Sequence, residues 1–417
     1  MRWPARWRRP LPFLRDLAVL AVVGYVAAAA YLYAYQVDIV FRAPAHGSLL
    51  TASLGLAPER ITLTDAAGLA SEAWKIRPAS ALPGSGAASP SPYWILYCHG
   101  NAATISTSVN QRRYDQLRGL GVNLLTVEYP GFGEVGGVAS EAGMHAAARA
   151  GYEYLRRVEH VEPANLVIYG WSLGTGAAVP LARDADEAGL VVEGGFTSVL
   201  DRGREEHPWM PVRLLLQHPF RSDEAIASTH SATLFLHSRS DVIVPYHHGE
   251  AMFARAAEPK RFVTLEGGHI YDNAVDADRY TAALHDFLAD VVHWRVRAPK
   301  PSAGVAVARA LAGGGLDAAL ATWRRAVAEG EDRWSLAEYE LQHVARTCTL
   351  EERHTEAIAL FRANRDRFPT SPLAWYELGR ALAAASDPED ARRAFTRSLA
   401  LEPASINPSH AALAALP

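Results

Sequence analysis

The sequence feature that most constrains the fold is a G-x-S-x-G motif formed by Gly170, Ser172 and Gly174. The apolar run Asn165–Gly170 that precedes it is typical of a buried strand, and the segment Ser172–Ala185 that follows predicts a helix. Glycine lacks a Cβ, so the chain can turn sharply here while neighbouring backbone approaches closely. A strand, a tight turn and a helix in this order raise one hydroxyl to the top of a sheet. The motif therefore predicts a nucleophilic serine at residue 172.

Predicted strands and helices alternate on both sides of this motif. Continuous apolar runs at Tyr93–Cys98 and Val122–Glu128 predict two buried strands, and Ser140 is expected to cap a helix over Glu141–Val158. This alternation favours a mostly parallel sheet with helices on both faces. Nearer the N-terminus, alternating polar and apolar residues predict one antiparallel pair of strands, at Arg60–Thr64 and Glu72–Arg77.

The composition is that of an ordinary globular protein, and it restricts the classes of partner. Of the 417 residues, 49% are apolar and 21% are charged, and this length predicts two or three domains. A net charge of −4 gives no electrostatic argument for binding nucleic acid. The two cysteines, Cys98 and Cys348, imply no disulfide framework and are expected to be buried apolar side chains. Because the sequence has no phosphate-binding loop, metal-ligand cluster or dinucleotide motif, we expect no cofactor and no metal.

An uncharged apolar segment, Leu17–Tyr35, follows a group of arginines near the N-terminus, at Arg2, Arg6, Arg8, Arg9 and Arg15. Its length is close to the roughly 20 residues that an α-helix needs to cross a bilayer. Arginines before such a span predict a cytoplasmic N-terminus, with everything after residue 36 outside the cytoplasm. The compartment is then the periplasm behind a bacterial inner membrane or the lumenal side of a eukaryotic membrane, and the alanine- and arginine-rich composition favours the bacterium. The alternative is a cleaved signal peptide, with small residues at Ala27–Ala30, and it exports the chain as well.

Two polar side chains downstream can complete the chemistry of Ser172. A hydroxyl is a weak nucleophile until a base, oriented by a third group, accepts its proton. In the strand–turn–helix architecture the order along the chain is serine, acid, histidine. Asp241 follows the predicted strand Ala232–His237, and His269 follows the predicted strand Arg261–Leu265. We therefore expect Ser172 to attack, His269 to carry the proton and Asp241 to orient the imidazole.

The strand Tyr93–Cys98 runs directly into His99-Gly100-Asn101, where a backbone donor is expected. Acyl-transfer enzymes of this architecture place half of the oxyanion hole at this position. We expect the backbone N–H near Asn101 to act with the N–H of Leu173, because such donors stabilise charge that develops in the transition state. A structural role is the preferred interpretation of the His99 side chain.

Six motifs in order resemble the alpha/beta-hydrolase family. Within it, the sequence is similar to the branch of membrane-anchored lysophospholipid or monoacylglycerol lipases, depalmitoylases and serine aminopeptidase-like hydrolases. The resemblance implies the alpha/beta-hydrolase fold and the same triad. Ser238, Val135 and Ile270 depart from the family pattern, which leaves the substrate open. The motifs are His99–Ala102, Glu128–Gly133, Gly170–Gly174, Phe196–Ser198, Asp241–Pro245 and Gly267–His269.

The proline-punctuated segment Thr197–Ser228 is rich in bulky apolar side chains and has the position of a lid in similar enzymes. An apolar lid over the serine would favour acyl chains, whereas the alternative is that these residues only cover the edge of the sheet. The aromatic residues after the second buried strand could form either a wall of the site or part of the core. The expected pocket residues are Tyr129, Phe132, Trp171, Trp209 and Leu215.

The C-terminal part of the sequence is alanine-rich and repeats with a spacing of 34 residues, at Ala357/Ala391, Phe361/Phe395 and Pro369/Pro403. The pattern resembles tetratricopeptide repeats. It predicts about three units, of which the first contains Ala319 and Trp323 and is the most degenerate. Stacked helix pairs present a concave face to peptides or partner proteins. The alternative is a generic helical bundle that packs on the hydrolase.

The sequence thus predicts three segments: an anchor at 1–36, an α/β hydrolase domain at 37–297 and a helical repeat domain at 298–417. The predicted function is that of a membrane-anchored serine hydrolase of carboxylic esters, including lipid esters or thioesters, with peptidase activity ranked lower. The partners expected are an ester or lipid substrate, the membrane and a protein bound by the repeats. The alternative function is a catalytically weak hydrolase scaffold whose repeats bind a partner.

Overall fold

An eight-stranded sheet forms the centre of the computed structural model, which describes residues 12–48, 54–66, 68–78 and 91–416. The strands are β1 (Glu59–Thr64), β2 (Ala70–Ile76), β3 (Trp94–Cys98), β4 (Asn123–Val127), β5 (Leu166–Trp171), β6 (Gly189–Glu193), β7 (Ala232–Ser238) and β8 (Lys260–Leu265). Their order across the sheet is β1-β2-β4-β3-β5-β6-β7-β8. Strand β2 is antiparallel to β1 and β4, and the other neighbouring pairs are parallel. The mostly parallel sheet and the antiparallel pair are therefore confirmed.

The central strands β3 and β5 are buried along their whole length because both faces of the sheet are covered. Leu96 and Ile168 are paired in register and belong to the core on one face. Tyr97 and Tyr169, one residue further along, belong to the core on the opposite face. Because these strands are parallel, their carboxyl ends, which the predicted catalytic residues follow, lie at one edge of the sheet.

Two helices precede the sheet, α1 (Pro12–Ala34) and α2 (Gln36–Phe41). The stretch Leu14–Ala34 has a mean hydropathy of 2.0 and no buried part, and it is long enough to cross a membrane. A signal sequence has the same features, so length and composition alone do not separate the two. The first four arginines of the predicted anchor lie outside the described residues. In contrast to α1, helix α2 is anchored in the core by the fully buried Phe41.

Helices cover both faces of the sheet. Helices α4, α5, α8 and α9 contribute to the core on one face, and α3 and α11 to the core on the other. Helix α4 begins as predicted, because the Ser140 hydroxyl accepts a hydrogen bond of 3.0 Å from the Gly143 N–H. The helices of this region are α3 (Ser108–Gly119), α4 (Glu141–Arg157), α5 (Thr175–Asp184), α6 (Val199–Glu206), α7 (Val212–Leu215), α8 (Ser222–Ile226), α9 (Tyr246–Arg255), α10 (Gly268–Val275) and α11 (Ala277–Asp286).

The C-terminal part is helical and has its own core, to which Phe361 and Phe395 contribute. At Gly379 a Cβ would lie 2.6 Å from the Phe395 ring, so a small residue is required where these helices meet. The first of the predicted units falls in a helix that is kinked at Gly315. The relation to tetratricopeptide repeats stays a prediction. The helices are α12 (Ala303–Glu329), α13 (Glu338–Leu350), α14 (His354–Arg367), α15 (Pro372–Ala384), α16 (Pro388–Leu401) and α17 (Ser409–Ala414).

Candidate active site

Ser172 lies at the sharp turn between β5 and α5, as the motif predicts. Its φ of 52° is in the left-handed region, which is unusual for a residue with a side chain. The turn depends on its glycines: a Cβ on Gly174 would lie 2.1 Å from the Cys98 carbonyl oxygen. A Cβ on Gly170 would lie 2.7 Å from the Ala178 Cβ. Only glycine at these two positions lets the turn close against β3 and α5.

The structure brings together the three residues that the sequence places far apart. Ser172 Oγ lies 2.6 Å from His269 Nε2, and His269 Nδ1 lies 2.6 Å from Asp241 Oδ2. An ionised Asp241 can only accept a hydrogen bond, so Nδ1 donates to it and Nε2 is left to accept from the serine. All three side chains are buried. This geometry allows the imidazole to remove the serine proton.

The Asp241 carboxylate is held in its ionised form by several donors. Its Oδ1 accepts hydrogen bonds from the backbone N–H groups of Ile243 at 2.9 Å and Val244 at 2.7 Å. Burial alone would raise the pKa of the Asp241 carboxyl, but hydrogen bonds from His237 and His269 hold that pKa well below its usual range. Asp241 is therefore a carboxylate across the physiological pH range.

The His269 ring is positioned by residues that the sequence analysis did not assign to the site. A Cβ on Gly194, at φ 55°, would lie 3.1 Å from His269 Cε1, so the glycine allows the imidazole to approach the backbone. The Gly268 N–H donates to Ser238 Oγ at 2.9 Å and fixes the start of α10. Gly194 follows β6, a strand that the sequence analysis missed, and Ser238 appeared only as a departure from the family pattern.

Comparisons with known proteins identify relatives of this chain. No family model matches the sequence. An uncharacterised protein of Mycobacterium tuberculosis is 35% identical over 280 residues, which cover 66% of this chain and 96% of the relative. The lysophosphatidylserine lipase ABHD12 of Danio rerio is 31% identical over 185 residues, or 40% of this chain and 48% of the lipase. The chain belongs to the alpha/beta-hydrolase family. It spans about half the length of the lipase that it matches.

Among solved structures, an esterase of Pyrococcus furiosus is 14% identical, with a TM-score of 0.49. The alignment covers 60% of this chain and 98% of the esterase.

The predicted oxyanion-hole residues Asn101 and Leu173 both line the cavity above Ser172. The Gly100 backbone comes close to Ser172, since a Cβ on Gly100 would lie 3.1 Å from the Ser172 Cβ. His99 is fully buried, and its Nε2 lies 2.8 Å from Glu128 Oε1. This hydrogen bond agrees with the structural role expected for His99.

The cavity above Ser172 has a volume of about 560 Å³ and is lined mainly by apolar side chains. Trp171 and Leu215 line it as expected. The pocket prediction needs correction for three residues. Tyr129 and Phe132 are fully buried in the core because both rings pack against His99. Trp209 is more than half exposed and packs against Tyr25 of α1 instead.

A buried ionic network lies beneath Trp171. The Arg113 guanidinium stacks 4.0 Å from the Trp171 ring and is completely buried. It pairs with Glu193 at 2.5 Å and Asp272 at 3.1 Å. Burial and the neighbouring Glu193 carboxylate raise the pKa of Asp272 well above its usual range. The network joins α3, the end of β6 and α10, so it fixes elements on both sides of Ser172.

Glu205, His247 and His248 form a second polar cluster, between α6 and α9. Their ligating atoms all lie within 4.8 Å of one another, so these three side chains could hold a metal ion. Arg202 lies 2.6 Å from the Glu205 carboxylate and already supplies a positive charge. Despite burial, hydrogen bonds from the two histidines and Arg202 lower the pKa of Glu205 to about 2. His248 is buried, whereas its neighbour His247 is exposed.

Proposed function

We propose that this chain is a membrane-anchored serine hydrolase that cleaves carboxylic esters. The observation that carries the proposal is the continuous hydrogen-bonded series Ser172–His269–Asp241 at the floor of an apolar cavity. Membership of the alpha/beta-hydrolase family supports it, as does the similarity to a protein named as a lysophosphatidylserine lipase. The scaffold alternative requires a disrupted triad, and the three side chains lie in hydrogen-bonding geometry.

The reaction proceeds in two steps. Ser172 Oγ attacks the ester carbonyl carbon while His269 Nε2 takes its proton, and His269 then protonates the alcohol oxygen as its bond to carbon breaks. In the second step His269 removes a proton from water, the resulting hydroxyl attacks the acyl-serine, and the proton returns to Ser172. The products are a carboxylic acid and an alcohol. Asp241 keeps the imidazole in the required tautomer and stabilises its cation.

The negative charge of each tetrahedral intermediate needs donors that are already in place. We assign this role to the backbone N–H groups of Asn101 and Leu173, which border the cavity beside Ser172. Removal of one such donor costs about 10²–10³-fold in kcat in a well-studied protease. The Asn101 side chain also donates to the Val40 carbonyl at 2.6 Å, which ties this loop to α2.

We assign α1 to a single membrane span with a cytoplasmic N-terminus, which places the catalytic part outside the cytoplasm. The stretch Leu14–Ala34, with a mean hydropathy of 2.0 and no buried part, supports the assignment. The C-terminal helices are assigned to tetratricopeptide-like repeats that hold a protein partner. The recurrent alanine, phenylalanine and proline positions of the sequence support that assignment.

The test is a series of p-nitrophenyl esters of increasing acyl length, together with a thioester and an aminoacyl amide. Wild-type protein should hydrolyse the esters, and Ser172→Ala should lower kcat by about 10⁴-fold or more because the nucleophile is removed. Ser228→Ala, a change at an exposed serine, is the matched control and should keep full activity. Retention of ester hydrolysis by purified Ser172→Ala protein would refute the proposal.

A further inference from the structure

The wall of the cavity above Ser172 contains the end of the membrane helix and its continuation. Leu32 of α1 and Gln36, Ile39 and Val40 of α2 line the cavity, as does Leu215 of α7. The anchor therefore forms part of the substrate site as well as a tether. A span whose end borders the cavity brings the cavity close to the bilayer surface.

Two contacts hold the anchor against the segment that carries α7. Gln36 Nε2 donates to the Leu215 carbonyl at 3.2 Å, and Gln36 Oε1 accepts from the Gln217 N–H at 2.7 Å. Nearer the middle of α1, the Tyr25 hydroxyl donates to the Trp209 carbonyl at 3.2 Å, and the two rings lie edge to face. These contacts place α7 and Trp209 along the anchor.

Large apolar side chains around this cavity are exposed to solvent. Leu214 is 82% exposed and Val242 is 86% exposed, and Trp209 and Ile243 are about half exposed. Each belongs to a segment that lines the cavity, since Met210, Leu215 and Ile243 are lining residues. We call Trp209, Leu214, Val242 and Ile243 the apolar rim. Exposed apolar residues of this size, grouped around one cavity, are typical of a surface that contacts a membrane or a partner.

We propose that the apolar rim is a second membrane contact and that the cavity receives the acyl chain of an ester lipid directly from the bilayer, between α1–α2 and α7. The proposal rests on the proposed ester hydrolysis and on anchoring by α1. The anchor holds the rim at the bilayer, and Leu, Val, Ile and Trp side chains are suited to the headgroup–acyl boundary. A cavity of about 560 Å³ lies within the range of roughly 300–1,000 Å³ typical of ligand pockets.

The experiment uses the full-length chain reconstituted in phosphatidylcholine vesicles that contain a small fraction of monooleoylglycerol. Release of oleate reports on lipid taken from the bilayer, and hydrolysis of p-nitrophenyl butyrate reports on a substrate dissolved in water. The variant Leu214→Glu/Val242→Glu puts two charges on the rim, and Val242→Glu alone is a second, milder variant. Leu350→Glu is the matched control, because Leu350 is also 82% exposed but lies at the end of α13.

We expect the double rim variant to release oleate about tenfold more slowly, because a charge disfavours insertion at the interface. The single variant should show an intermediate loss, and Leu350→Glu should match wild type. All variants should hydrolyse the soluble ester within about twofold of wild type, which also shows that they are folded. Two results would overturn the inference. One is oleate release by the rim variants at the wild-type rate, and the other is a wild-type protein that cleaves the soluble ester but releases no oleate. Failure of wild-type protein on both esters would instead refute the proposed function.

Discussion

At the scale of single residues, the candidate site depends on charges whose protonation state is set by their neighbours. Asp241 is buried, yet backbone donors at Ile243 and Val244 and the rings of His237 and His269 favour its ionised form. For Cys98, which ends a neighbouring strand, burial outweighs a hydrogen bond with the Tyr129 side chain and raises the pKa of the thiol to about 12. Hydrogen-bond donors thus keep buried Asp241 charged, whereas burial leaves Cys98 neutral, as expected for a buried cysteine.

The substitution Asp241→Asn should lower kcat by about 10⁴-fold, by analogy with the serine proteases. An asparagine that donates its NH₂ to Nδ1 would move the imidazole proton to Nε2, where the base must accept one. The KM should change little, because Asp241 does not line the cavity. Measurement of kcat and KM on a short-chain ester checks this, with a thermal melt to confirm folding. A variant with more than about a tenth of wild-type kcat would exclude the assigned role.

Glu187 predicts a pH dependence of stability. Burial raises the pKa of this carboxyl from 4.5 to about 7 in the folded protein. A raised carboxyl pKa means that ionisation opposes folding, so stability is lost as the pH rises from about 4.5 through 7. Glu187→Gln should therefore raise the Tm at pH 8.5 and leave it nearly unchanged at pH 4.5. Glu162→Gln, at an exposed site, is the control, and an equal Tm gain at both pH values would contradict the explanation.

At the scale of elements, α10 is the helix on which the geometry of the site depends. It carries His269 near its start, and Arg112 of α3 holds it in place through hydrogen bonds. The Arg112 guanidinium donates to the Ile270 carbonyl at 3.0 Å and to Asn273 Oδ1 at 2.8 Å. On its outer side, the Tyr271 ring packs 5.3 Å from the His343 ring of α13. The C-terminal helices therefore contact the element that carries the proposed base.

The substitution Arg112→Met should reduce kcat by between about 5- and 100-fold through a displaced imidazole, since errors near 1 Å can cost about 10²-fold. The substitution removes the guanidinium that donates to both the Ile270 carbonyl and the Asn273 side chain. The control is Arg118→Met on the same helix, because Arg118 bonds to Asp115 and not to α10. Steady-state kinetics on a soluble ester distinguish the two variants. Equal kcat values for the two variants would show that Arg112 does not position His269.

Elements also show what the sequence could and could not predict. The nucleophile turn could be recognised because glycines at fixed spacing and an apolar strand are local signals. The strand β6 was missed because its apolar run is only a few residues long. Glu193, at the end of this strand, was missed as well, because its partner Arg113 is distant in sequence. Likewise, nothing local distinguishes the buried His248 from the exposed His247. Tyr129 and Phe132 were ambiguous for the same reason, since only the position of His99 places them in the core.

At the scale of the whole molecule, two parts line one cavity and a third part supports it from outside. The sheet supplies Ser172, Asp241 and His269 from the carboxyl ends of its strands, where open α/β sheets hold their ligands. The N-terminal helices supply one wall through Gln36 and its neighbours, and the C-terminal helices brace α10 from outside. The sequence could indicate each part separately, but their convergence depends on contacts between residues far apart in the chain, such as Ser172 and His269, 97 positions apart, and Gln36 and Leu215, 179 positions apart.

The central claim is that Ser172 is a nucleophile activated by His269 and Asp241. The most direct test is peptide mass spectrometry of the folded, full-length protein after reaction with a fluorophosphonate probe. The account predicts a single adduct on Ser172, formed rapidly in wild type, far more slowly in Asp241→Asn and not at all in Ser172→Ala. An unmodified Ser172 in folded wild-type protein, or an adduct that forms at the same rate without Asp241, would contradict it.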